Sequence, residues 1–113
     1  MKTFDCRLKK QKDFDLVFKK GKRVFSKSLT MIFCSASQLK VGFCVSKKHG
    51  GSVQRNRIKR LLRESFRSFT PNLRQNFFFV FIPKVTDGYN LDTFKRDMES
   101  LFNKGDLFIN KDA

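Results

Sequence analysis

Residues 46–67 read SKKHGGSVQRNRIKRLLRESFR and hold eight lysines and arginines against one acid, Glu64. Such side chains, spaced along one helix, hold a polyanion. The residue types that break bonds are sparse and scattered. His49 is the lone histidine, with no second His, Cys or carboxylate beside it at a catalytic spacing, and it reads as a loop residue. A metal-dependent nuclease groups carboxylates around Mg²⁺, whereas the ten acids here are dispersed. Asp13 and Asp15 do not share a helix face. Asp92, Asp97 and Glu99 are expected on the exposed side of a last helix. Cys6, Cys34 and Cys44 are an odd number without paired spacing and read as reduced structural thiols. A Cys3His zinc set with His49 would lack any finger-like ligand pair. Gly50-Gly51 lacks the Walker spacing. These readings favour a binder over a catalyst, with no catalytic residue and no metal held tightly by the protein.

At ~100° per residue, Ile58, Leu61, Leu62, Ser65, Phe66 and Phe69 share one face of the basic helix, the face expected to pack on a sheet. Asn56, Lys59, Arg60, Arg63 and Arg67 share the other. Arg55 and Arg57 flank the seam near the N-terminal end, where backbone N–H groups favour phosphate. Lys47 and Lys48 extend the patch into the preceding loop. A merely solvated face is the bland alternative. The near absence of acids leaves i, i+4 pairing no role, and self-repulsion costs stability unless a partner relieves it. Nucleic-acid contact is the favoured reading.

The elements that position these residues follow from pattern. A chain of 113 residues with formal charge +15 and 40% hydrophobic residues is expected to be one domain. Most of its 15 Phe must be core. Asp13 is the expected cap of a short helix ending at Gly21, with Phe14, Val17 and Phe18 on one face. That spacing alone reads as a core stripe. Residues 24–35 read as one strand or two, broken at 26–28, and 38–40 as a hairpin turn into a strand over 41–46. Gly50-Gly51 breaks the chain, Ser52 is the expected cap, and the basic helix runs over 52–69, before Pro71. FFFVFI (77–82) suits a strand buried on both faces. Asp87-Gly88 is a turn. Asn90 or Asp92 opens a last helix striped by Leu91, Phe94, Met98, Leu101 and Phe102 and ended by Gly105. The segment 41–82 has the length of a βαβ crossover. The fold class is α+β: about four strands in one mixed sheet packed by helices, in the order α-β-β-β-α-β-α. The ordered core is expected over about 4–104, with a short tail over 105–113. No apolar run approaches the ~18 residues of a membrane span, and MKTFDCRLKKQKDFD has no apolar signal core. A cytoplasmic location and no membrane partner are therefore expected.

The stretch VGFCVSKKHGGSVQRNRIKRLLRESFR (41–67) resembles the central motif of the bacterial ribonuclease P protein component, VG-x-x-VSKK-x-G-x-(A/S)-V-x-RNR-x-KR-x-x-RE-x-(F)R, without a gap. Arg7-Leu8, Asp13-Phe14, Val17-Phe18 and Gly21 resemble the family's first helix. The likeness runs over about 4–104. It implies a fold similar to a domain of a small-subunit ribosomal protein, with a left-handed βαβ crossover, an exception to the usual hand. It also implies a role as the protein subunit of an endoribonuclease that removes the 5′ leader of precursor tRNA, with chemistry supplied by an RNA subunit and its Mg²⁺. Partners are then that RNA, one to one, and precursor tRNA, with no small-molecule substrate. Carried over, Arg55, Asn56, Arg57, Lys59, Arg60, Arg63, Arg67 and Lys47 would contact the RNA subunit. The family's leader cleft, between the first helix and the sheet, would use Phe14 and Phe18 as stacking platforms and Lys48 on phosphate. Ile32, or Phe33 beside it, would stand where relatives carry a strand aromatic. A structured-RNA-binding or ribosomal protein without associated catalysis is the alternative. A DNA-binding helix-turn-helix protein needs a short helix where VGFCVS reads as strand. A protein-only nuclease lacks its carboxylates.

Overall fold

The computed structural model describes residues 7–86 and 88–109. Its elements run α1 (Gln11–Lys20), β1 (Lys22–Phe25), β2 (Leu29–Ser35), β3 (Lys40–Phe43), α2 (Ser52–Phe69), β4 (Phe77–Pro83) and α3 (Leu91–Lys104), with 3₁₀ turns at Lys47–His49 and Thr70–Asn72. The four strands form one sheet in the order β1-β2-β4-β3. β1 pairs antiparallel with β2, and β2 antiparallel with β4, with Met31 opposite Phe81. β3 and β4 are parallel, with Gly42 opposite Val80, so α2 is the crossover between adjacent parallel strands. This is the mixed α+β architecture expected.

One detail of the expected order changes. Residues 38–40 do not close a hairpin, because β4 lies between β2 and β3. FFFVFIP is the most apolar strand, and a central position buries both of its faces. Phe79 and Phe81 point to one side and Phe78 and Val80 to the other, all buried.

Strand alternation then sorts the molecule into layers. Leu29, Met31, Val41, Phe79 and Phe81 meet Ile58, Leu62 and Phe66 of α2 and Phe94, Met98, Leu101 and Phe102 of α3 in the larger core. Phe66 sits at its middle, 5.8 Å from both Phe79 and Phe81 and 6.1 Å from Phe102 between ring centroids, mostly edge to face. On the opposite side of the sheet, Leu8 and Val17 cover Ile32, Phe78 and Val80. Leu8 arrives there because its N–H donates to the Val41 carbonyl at 2.8 Å, which lays residues 7–8 along the outer edge of β3.

Local starts and stops differ from the expected caps in small ways. α1 begins at Gln11 after Lys10, so Asp13 lies in its first turn instead of capping it. α2 begins after Gly51 with Ser52 already helical and no side-chain cap. Gly50 carries the strained backbone of this turn, at φ 125°, where a side chain is disfavoured. Asn90 caps α3 by accepting from the Thr93 N–H at 2.9 Å. The Asp87 half of the Asp87-Gly88 turn lies outside the described residues, as do residues 1–6 and 110–113.

One further expectation is corrected. Asp97 is buried, not solvent-facing. It lies three residues after Phe94 and four before Leu101, inside the apolar stripe. Its carboxylate accepts from the Ser28 backbone N–H at 3.0 Å and from the Ser28 hydroxyl, which ties the β1–β2 turn to α3. The segment after Gly105 packs back on the domain as far as residue 109. Leu107 is buried, its carbonyl accepts from the Arg74 N–H at 2.8 Å, and the Ile109 N–H donates to the Asn72 carbonyl at 2.8 Å.

Candidate nucleic-acid interface

The basic helix is held by its apolar face and leaves its cations outward. Ile58, Leu62, Ser65 and Phe66 are buried. Asn56, Arg60 and Arg67 are exposed, and Lys59 and Arg63 half-buried. Among the described residues the ion pairs are Arg74–Asp106 and Arg96–Asp97, and neither involves α2. Glu64, the one acid on the helix, makes no ion pair with them, so repulsion among the cations is little relieved. Arg63 feels this most: burial pushes its pKa down, and the charges of Arg7, Arg60 and Arg67 push it further the same way. A phosphate placed among these groups would offset their mutual repulsion.

The N-terminal end of α2 is more mixed. Arg57 donates through Nη1 to the Tyr89 carbonyl at 3.2 Å, which anchors it toward the start of α3. Arg55 is half-buried, and its Nε has no hydrogen-bond partner. Lys47 and Lys48 stand exposed on the 3₁₀ turn. His49 fixes that turn. It is buried, its Nδ1 accepts from the Ser46 N–H at 3.0 Å, and its Nε2 donates to the Pro83 carbonyl at 2.7 Å. This loop histidine is thus a structural pin between the turn and the end of β4, and not a solvent-facing residue.

The second region lies where α1, the β3 edge and α2 meet. Phe14 rests on Gly42: a Cβ built there would fall 2.5 Å and 2.6 Å from two Phe14 ring atoms. Glycine in a strand marks such a close approach. Beside this contact runs a groove of about 160 Å³ lined by Arg7, Phe14, Gly42, Phe43, Lys59 and Arg63. Phe18, one turn along α1, is 37% exposed, while Val17 between them is fully buried. The Phe14, Val17, Phe18 stripe therefore splits: one residue is core, and two offer ring surface at its margin.

Not every expected cleft residue reaches it. Ile32 is fully buried beneath α1. The helix ends so close above it that a Cβ on Gly21 would meet the Ile32 Cγ2 at 2.7 Å. Phe33, the next residue, points to the opposite face of the sheet and packs against Phe77 and Phe79. Neither is among the residues that line the groove. Lys48 is exposed but is not among the groove-lining residues. Arg7 and Gly42 were missed as site residues. The signal was present in each: a glycine inside an alternating strand, and a cation immediately before the buried Leu8.

Two carboxylates are engaged away from this surface. Asp97 serves Ser28, and Asp106 faces Arg74 at 4.0 Å. Among the described residues no three His, Cys, Asp or Glu side chains are grouped to hold a metal ion. Cys34 and Cys44 are free thiols, each with its pKa raised chiefly by burial. No described helix is long and apolar enough to cross a membrane.

A cationic helix face running into an aromatic groove, on a four-stranded mixed sheet, defines a small α+β RNA-binding protein. The ribonuclease P family model matches residues 3–106. The ribonuclease P protein component of Caldanaerobacter subterraneus subsp. tengcongensis is 39% identical over 110 residues, 94% of each chain. The solved RNase P protein of Staphylococcus aureus aligns with a TM-score of 0.81 at 26% identity, over 94% of this chain and all of that one. That of Thermotoga maritima aligns at 0.77 and 26%, over 93% and 98%. The chain belongs to the ribonuclease P protein family, a component of a tRNA-processing ribonucleoprotein nuclease.

Proposed function

We propose that this protein binds the RNA subunit of ribonuclease P through the outward face of α2 and holds the 5′ leader of precursor tRNA along the Phe14 groove, assisting removal of the leader. One observation carries the reading: Lys59 and Arg63 belong both to the α2 face and to the groove. The two surfaces are continuous, so a single strand lying on Phe14 and Phe18 would have its phosphates met by cations that also face the partner RNA. Arg55, Asn56, Arg57, Arg60, Arg67 and Lys47 are assigned to the RNA subunit. Phe14, Phe18, Arg7 and Lys48 are assigned to the leader. Stacking and phosphate contacts make leader binding tolerant of sequence.

In this reading the bonds are cut by the RNA subunit with its Mg²⁺. The protein positions substrate and screens backbone charge, which lowers the demand for free Mg²⁺. The site of action is the cytoplasm. Reconstitution with a bacterial ribonuclease P RNA tests it. The protein is expected to raise precursor cleavage at low Mg²⁺. No gain at any protein concentration would reject the assignment in favour of a structured-RNA binder without associated catalysis.

A further inference from the structure

A second cavity lies on the other side of α1 from Phe14. It has a volume of about 440 Å³, within the ~300–1,000 Å³ of small-ligand pockets. It is lined from the α1 side of the sheet by Leu16 and Lys20, one turn apart on α1, and from the other side by half-buried Phe77. Phe33, also in the lining, meets Phe77 edge to face with ring centroids 5.9 Å apart. Lys22 lines it beside Lys20, both exposed, and no acid is among the described lining residues.

The backbone adds a third kind of surface. β1 pairs with β2 only as far as Lys22 opposite Phe33. Cys34 and Ser35, which also line the pocket, therefore have no partner strand on that side, and their edge faces the cavity with the Ser35 hydroxyl. An apolar slot with an aromatic lining takes a flat ring by its faces. A bare strand edge offers hydrogen bonds to a ring's rim. Paired ammonium groups take an anion. Lys19 and Arg23, both exposed, continue the positive charge around the C-terminal end of α1 toward Phe18. Lysines in a last helical turn also offset the helix dipole, but that role requires neither the slot nor Lys22, which lies beyond the helix.

We propose that this pocket is a second single-strand RNA subsite, which takes one unstacked nucleotide with its base against the apolar lining around the β2 edge, Leu16 and Phe77 included, and its phosphate on Lys20 and Lys22. It rests on the reading that the protein holds single-stranded RNA on α1, and it extends the strand's path around the end of that helix.

Cys34 is a reporter inside the pocket. With Cys6→Ser and Cys44→Ser, it is the remaining thiol. Its alkylation by iodoacetamide is followed with and without an oligouridylate of about ten nucleotides, inside the ~4–16-nucleotide range of single-strand sites. Binding is measured in parallel by fluorescence anisotropy. At about ten times the Kd, the free fraction and hence the alkylation rate should fall about tenfold. Lys20→Ala/Lys22→Ala, at two exposed positions, should abolish this protection while binding through the Phe14 groove persists. Phe14→Ala should leave the protection in place when the oligonucleotide is rescaled to the weaker Kd. Binding with an unchanged Cys34 rate, or protection that survives loss of both lysines, overturns the subsite and leaves the groove reading intact. No binding at all overturns both.

Discussion

On the α2/α3 side of the sheet, two helices cover Leu29, Met31, Val41, Phe79 and Phe81 completely. On the α1 side, a single ten-residue helix covers Ile32, Phe78 and Val80 and leaves Cys44 and Ile82 half-buried beside the Phe14 groove. The first side uses most of its aromatic residues as core. The second leaves two rings on one short helix at the margin, where a ligand can reach them. The same residue type thus stabilises the fold on one face and is available for recognition on the other. What separates the two uses is how much helix the chain lays over each face.

Breaking the closed side should cost most. Phe66→Ala removes the ring at the centre of the aromatic cluster and should destabilise the protein by about 3–5 kcal/mol, read as a lower midpoint in urea unfolding. A loss below ~1 kcal/mol would mean that the cluster around Phe66 is not the packed core described.

On the open side, the effect should appear in binding. Phe14→Ala should weaken precursor tRNA binding by about 1–3 kcal/mol if its ring stacks on a base, with mature tRNA, which has no leader, unaffected. Equal weakening for both would return Phe14 to the core. Gly42→Ala sharpens this point because it leaves the ring in the sequence but displaces it. Its new methyl would sit 2.5 Å from the Phe14 ring, so precursor affinity should fall by less than in Phe14→Ala, and the double variant should be no worse than Phe14→Ala alone. Additive losses would show that Gly42 acts independently of the ring.

The smallest change belongs to a single cation. Arg60→Ala should weaken binding of the RNA subunit and reduce the slope of log K against log salt by about one contact, ~0.7–0.9. Leader discrimination should be unchanged. An unaltered slope would make that part of α2 a solvated face.

How much of this was legible in sequence follows the same division. α2 was readable to its last residue because Ile58, Leu62 and Phe66 set a helical period and Pro71 sets its end. The two faces of that helix came from the same period. The open side was less readable because it depends on distant pairing. Only the sheet order brings Gly42 under Phe14, and nothing local in 36–43 says that β4 will insert beside β3. Ile32 and Phe33 show the limit plainly. Adjacent strand residues point to opposite faces, and which face carries α1 is a tertiary fact. Asp97 is similar: a carboxylate at a stripe edge reads as exposed until its partner, Ser28, is known to lie across from it.

The division of labour is tested most directly by site-specific crosslinking in the assembled holoenzyme with precursor tRNA bound. In a chain freed of Cys6, Cys34 and Cys44, a photoreactive group is placed at position 18 through Phe18→Cys or at position 60 through Arg60→Cys. The account predicts that the probe at 18 labels the precursor leader and the probe at 60 labels the RNA subunit. Labelling of the RNA subunit from position 18, with the leader untouched, would contradict it.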